Sequence, residues 1–105
     1  MIVERLSFQA KYGRGDELVA LFHEFANTLQ AKFGIPGKMA RIYTDHTGAM
    51  FTVQAEIEYT DLAEYVRANQ GEAAQYGSPD FQAWFGKMMD CTERGDKQLM
   101  NLTVL

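Results

Sequence analysis

Cysteine is nearly missing from this chain. Cys91 is the single one among 105 residues, so no disulfide can close within it, and the usage fits a reducing, cytoplasmic setting. Histidine is almost as scarce. His23 and His46 lie far apart and give none of the spacings of a zinc site, so no metal is expected. Ten Lys and Arg against fourteen Asp and Glu leave a formal charge of -4. That balance provides no basic footprint for nucleic acid or for an anionic membrane. No apolar run approaches the roughly 18 residues of a membrane span, and Glu4 and Arg5 interrupt the N-terminus before a leader-like core develops.

What is present is ordinary for a globular protein: 47% hydrophobic and 12% aromatic residues, in a length that makes one domain over 1–105 with one core. Gly37 to Tyr59 reads as a long β-hairpin at the centre of a sheet. Its second arm alternates Ala49, Phe51, Val53, Ala55, Ile57 and Tyr59 against Met50, Thr52, Gln54, Glu56 and Glu58, the period of a half-buried strand. An even loop around Asp45-His46-Thr47-Gly48 places Ala40, Ile42 and Thr44 with Phe51, Val53 and Ala55; an odd loop with a bulge exchanges the first arm's faces. The even loop segregates polarity better.

Upstream, Ile2, Leu6, Phe8 and Ala10 alternate with Arg5, Ser7 and Gln9, with Glu4 as the exception on the apolar side. From Asp16 to Phe33 the stripe Leu18, Leu21, Phe22, Phe25 and Leu29 predicts a helix, stopped by Gly34-Ile35-Pro36. Thr60 and Asp61 offer a cap to a second helix with Leu62, Tyr65 and Val66 inward and Gly71 as a weak point. Ser78-Pro79-Asp80 starts another, carrying Phe81, Trp84, Phe85 and Met88, with Gly95 as its stop. The final QLMNLTVL predicts a fourth strand with Met100, Leu102 and Val104 on one face. The order is β-α-β-β-α-β, an α+β, ferredoxin-like arrangement with a four-stranded antiparallel sheet and helices on one face. The other face is expected to carry Arg5, Arg41, Tyr43, Gln54, Glu56 and Asn101, open to water or covered by a second sheet.

With that order, the glycine turn in KYGRGDELVALF, the glycine-proline exit in FGIPGKMARIYTD and the aromatic helix SPDFQAWFGKMM, the whole chain resembles the dimeric α+β barrel superfamily. That group includes antibiotic-biosynthesis-type monooxygenases and NIPSNAP-like domains. The resemblance implies a homodimer closed by two facing sheets and a small-molecule cavity between helices and sheet in each subunit. It also implies a cofactor-independent oxygenase acting on an aromatic or polyketide-like substrate. The alternative is a non-catalytic ligand-binding or interaction module of the same fold. The haem-degrading branch uses an asparagine on the first strand with a tryptophan and a histidine in the second helical region. Here the strand has Ser7 and Gln9, Trp84 is present, and no histidine follows His46.

Among individual residues, His23 beside the first helical stripe is a candidate base and Trp84 a candidate catalytic neighbour. Tyr65, Phe81, Trp84 and Met88 are candidate walls of a pocket for a small apolar or aromatic ligand, although their helical spacing equally describes core packing. Arg5, Arg41 and Glu56 could bind an anion, face water, or hydrogen-bond across a dimer interface. No cofactor is expected.

Overall fold

The structure is a computed structural model, described here for residues 1–103. Strand β1 (Ile2–Ala10) leads through a glycine turn into α1 (Gly15–Glu24), which continues through a π-helical turn (Phe25–Leu29) into α2 (Gln30–Phe33). Strands β2 (Lys38–Thr44) and β3 (Thr52–Tyr59) follow, then α3 (Leu62–Ala73), α4 (Pro79–Cys91) and β4 (Thr92–Asn101). The strands form one antiparallel sheet in the order β2-β3-β1-β4. The arrangement is the expected α+β, ferredoxin-like sheet with helices on one face. The hairpin is not wholly central, because β2 is an edge and the inner strands are β3 and β1.

Local chemistry explains the element ends. Gly34 takes φ 65°, the left-handed cap, while the N–H of Ile35 reaches back to the Gln30 carbonyl at 3.0 Å. Asp61 caps α3 by accepting from Glu64 N at 2.8 Å, and Ser78 caps α4 by accepting from Phe81 N at 3.2 Å. Leu18, Leu21, Phe22 and Leu29 bury against Val53, Ala55, Phe81, Trp84, Met88 and Cys91 to make the main core. Burial of that many large apolar groups, at about 1.5–3 kcal/mol each, is what fixes the helices on the sheet.

Several expectations need correction. The even register holds from Arg41 to Thr44, but a bulge between Met39 and Arg41 leaves Ala40 without a partner. Met39, opposite Ile57, therefore turns toward the helices in place of Ala40. Gly71, the expected weak point, lies inside α3. The helix runs on to Ala73, and a Cβ at Gly71 would sit 3.6 Å from Ile35 Cγ1, an ordinary contact that does not require glycine. The expected inward stripe of α3 is also wrong in part, since Leu62 and Val66 are exposed and Ala68 is the buried residue. Gly95 is not a helix stop but lies within β4 opposite Phe8, whose ring occupies the space a Cβ would need. Strand β4 thus begins directly after α4, six residues before the expected QLMNLTVL start at Gln98. Its expected end, Val104 and Leu105, lies outside the described residues. Asn101 pairs with Ile2 and Leu99 with Glu4, so both share the helix side; Met100, opposite Val3, takes the other face.

Candidate functional site

On the face away from the helices, Glu56 is the hub of a polar network. Its Oε2 accepts from Arg5 Nε at 3.1 Å and Nη2 at 2.7 Å, and its Oε1 accepts from Arg41 Nε at 2.7 Å and the Tyr43 hydroxyl at 3.3 Å. Gln54 extends the network by donating to Ser7 Oγ at 3.2 Å. The carboxylate is 6% exposed, and the two guanidiniums hold its pKa below the usual carboxylate range. These residues sit where the sequence placed them, and the network is satisfied within one chain.

Between the helices and the sheet lies a partly open space of about 70 Å³, lined by Leu6, Phe22, Phe25, Ile35, Met39, Ile57 and Trp84, with Glu4, Gln30, Tyr59 and Glu72 as its polar members. The alternation of β1 puts Glu4 on the inner face between Ile2 and Leu6, opposite Ile57 and Leu99. Glu4 is 6% exposed. The Tyr59 hydroxyl donates to Glu4 Oε1 at 3.4 Å, and Lys97 Nζ, on a mostly exposed side chain, stands 3.8 Å from Oε2. Desolvation raises the Glu4 pKa, an effect that Lys97 and Tyr59 only partly offset. Burial, and then the Glu4 charge, raise Glu72 in the same sense. Burial also pushes Tyr59 far above the usual phenol range, so its hydroxyl stays a donor.

Tyr65 meets Tyr59 edge-on at 5.4 Å between ring centres, with Lys97 Nζ 6.0 Å from its own ring centre. It is not among the residues that line the cavity. Trp84 does line the space, and its indole donates to the Leu21 carbonyl at 2.8 Å. Phe81 and Met88 are core residues and do not border the cavity. His23 is exposed on α1, away from it. Sequence reasoning passed over Glu4, Tyr59 and Glu72. The signal for the first was in plain view: a carboxylate at an apolar position of a strand.

About 70 Å³ is small beside the roughly 300–1,000 Å³ of most ligand sites, and a benzene ring occupies an engineered cavity of about 150 Å³. A ring therefore enters only if a wall yields. Helix α3 is a lightly held wall, with Ala68 its one buried residue, Tyr65 against Tyr59 and Gly71 facing Ile35. The π-helical turn supplies Phe25 to the opposite wall, a deviation of the kind that recurs at functional sites.

No protein-family model and no curated protein matches the chain. Solved structures do. A NIPSNAP domain protein from Burkholderia xenovorans, itself uncharacterised, superposes with a TM-score of 0.76 at 14% identity, over 98% of this chain and 95% of that one. A NIPSNAP family protein from Agrobacterium tumefaciens gives 0.75 at 18% identity, over 97% and 92%. This is the NIPSNAP-like and antibiotic-biosynthesis-monooxygenase-like fold. The second half of that statement rests on a candidate antibiotic biosynthesis monooxygenase from Nitrosomonas europaea, at a TM-score of 0.68 and 10% identity over 99% and 100%. At such identities the likeness concerns architecture and leaves the chemistry to the residues of this chain. Among the described residues, no helix is long and apolar enough to cross a membrane.

Proposed function

We propose that the chain is a small-molecule protein that works as a homodimer, and that its helix–sheet cavity serves a cofactor-independent oxygenation of an aromatic or polyketide-like substrate. The observation that carries this reading is Glu4, a buried carboxyl with a raised pKa at the polar end of an apolar cavity. Such a carboxylate is a stronger base than one in water. It is suited to take a proton from a ring methylene acidified by a neighbouring carbonyl. The resulting carbanion passes electrons to dioxygen. One oxygen atom stays as the new ketone and the other leaves as water, so that CH₂ and O₂ become C=O and H₂O. Tyr59 and Trp84 position the ring, and α3 moves aside to admit it. The fold shared with a candidate monooxygenase supports the assignment. The polar face around Glu56 is the surface offered to the second copy.

A second reading has its own observation. The space is only about 70 Å³, as expected of a non-catalytic module of the same fold whose cavity is filled by its own side chains. Native mass spectrometry of freshly purified protein, followed by oxygen uptake with hydroxyanthrone and hydroquinone substrates, separates the two. A dimer with turnover that falls at least a hundredfold in Glu4→Gln supports the oxygenase. A bare dimer without oxygen uptake across the panel supports the module, and a monomer removes the assembly from both.

A further inference from the structure

The polar inventory of the cavity is one-sided. Three lining side chains carry hydrogen-bond donors, and each is already committed. The Tyr59 hydroxyl donates to Glu4 Oε1 at 3.4 Å and Trp84 Nε1 to the Leu21 carbonyl at 2.8 Å. The Gln30 amide donates to the Gly37 carbonyl at 2.6 Å and the Pro36 carbonyl at 3.5 Å. Acceptors, by contrast, are left over. Glu4 has Lys97 Nζ at 3.8 Å from Oε2, beyond hydrogen-bond length, and the Tyr65 hydroxyl from outside the cavity lining, while no donor among the described residues reaches the Glu72 carboxylate, which water still reaches.

We infer that this cavity selects ligands presenting a hydrogen-bond donor on an apolar body, a phenolic hydroxyl or an ammonium group, and rejects carboxylates, phosphates and molecules that offer acceptors alone. The inference rests on the cavity being a ligand site, as proposed above, and adds the polarity of what it takes. The reason is desolvation. A ligand that closes the cavity strips the remaining water from Glu4 and Glu72, and only a donor replaces the hydrogen bonds they lose. An anion adds charge repulsion to the same deficit. Lys97 does not reverse the preference, because its side chain is 53% exposed and pairs with Glu4 from the solvent side.

Four ring compounds of similar size test this by isothermal titration calorimetry on the full chain: phenol, benzylamine, anisole and benzoate. The unsatisfied-acceptor penalty corresponds to about a ten- to hundredfold difference in affinity. Phenol or benzylamine should therefore bind at least tenfold tighter than both anisole and benzoate, and their relative order tells a neutral donor from a cation. Anisole or benzoate binding as tightly as phenol and benzylamine overturns the inference while leaving the cavity reading in place. No binding by any of the four removes the cavity reading, and this inference with it. In Glu4→Gln the new amide supplies a donor, so the preference for phenol over anisole should shrink toward equality. An unchanged ratio refutes the role given to Glu4.

Discussion

Gly37 is the residue whose replacement most directly tests how the cavity's polar end is built. It sits just before β2 with φ 104°, and a Cβ there would lie 2.5 Å from Tyr59 Cε1 and 3.0 Å from Cδ1. Gly37→Ala therefore carries two costs. An L side chain held at positive φ costs about 1–2 kcal/mol, and forcing a methyl into the space of a buried ring costs about 1–3 kcal/mol. Together they predict a loss of about 2–5 kcal/mol, a large share of the roughly 5–15 kcal/mol that holds a domain together. Urea denaturation followed by the fluorescence of Trp84, the only tryptophan, measures it. The steric part is isolated by repeating the change in Tyr59→Leu, where the offending ring atoms are gone. In that background Gly37→Ala should cost only the backbone share of about 1–2 kcal/mol. Equal costs in the two backgrounds would show that contact with Tyr59 is not what demands glycine.

Three further outcomes are expected. Because the folded-state pKa of Glu4 is raised, its contribution to stability is full below the ordinary value of 4.5 and is lost as pH rises through the raised one. Glu4→Gln should then melt like the parent near pH 4 and above it at pH 8; a lower melting temperature at pH 8 would mean that Lys97 stabilises the ionised form. Glu56 has the opposite sign, since its depressed pKa supplies stability above 4.5 that is lost as pH falls through the folded value. Glu56→Ala should cost about 1–3 kcal/mol at neutral pH, discounted for guanidiniums 37% and 43% exposed, and sedimentation should show a weaker dimer. An unaltered dimer would remove this face from the assembly. Asp61→Ala deletes the cap of α3 for about 1 kcal/mol, and hydrogen exchange should rise in Leu62–Ala73 while Pro79–Cys91 keeps its protection. Uniform loss across both helices would contradict the view of α3 as the yielding wall.

The sequence disclosed the fold through period and punctuation. The alternation from Thr52 to Tyr59, the stripe from Leu18 to Leu29, the Gly34 exit and the caps at Asp61 and Ser78 all lie where local rules put them. Where it misled, a tertiary contact had overruled a local signal. Gly95 looks like a break, but it is a place where Phe8 comes close, and nothing in its flanking residues encodes that neighbour. The bulge at Ala40 was equally hidden, because Met39 and Ala40 are both acceptable facing the core. The candidate site was legible only as an anomaly. Glu4 broke the apolar face of β1, yet its partners Tyr59, Glu72 and Lys97 come from three other elements, and only the folded sheet brings them to it. His23 drew notice for its chemistry, but the helix turns it to solvent.

The π-helical turn at Phe25–Leu29 has a consequence for how this chain tolerates change in length. One extra residue in a turn advances everything after it by about 100° around the helix axis. The residues before the turn are phased to the core through Leu18, Leu21 and Phe22, and those after it bring the Gln30 amide to the Pro36 and Gly37 carbonyls. A single rod thus satisfies two angular requirements that an unbroken α-helix of the same sequence would set against each other. Removing one residue among Ala26, Asn27 and Thr28 would therefore take out the surplus residue and close the turn into regular α-helix, with both ends still in phase. One residue added there instead would leave the core end in place and swing the other end out of phase with the loop that seats Gly37 beneath Tyr59.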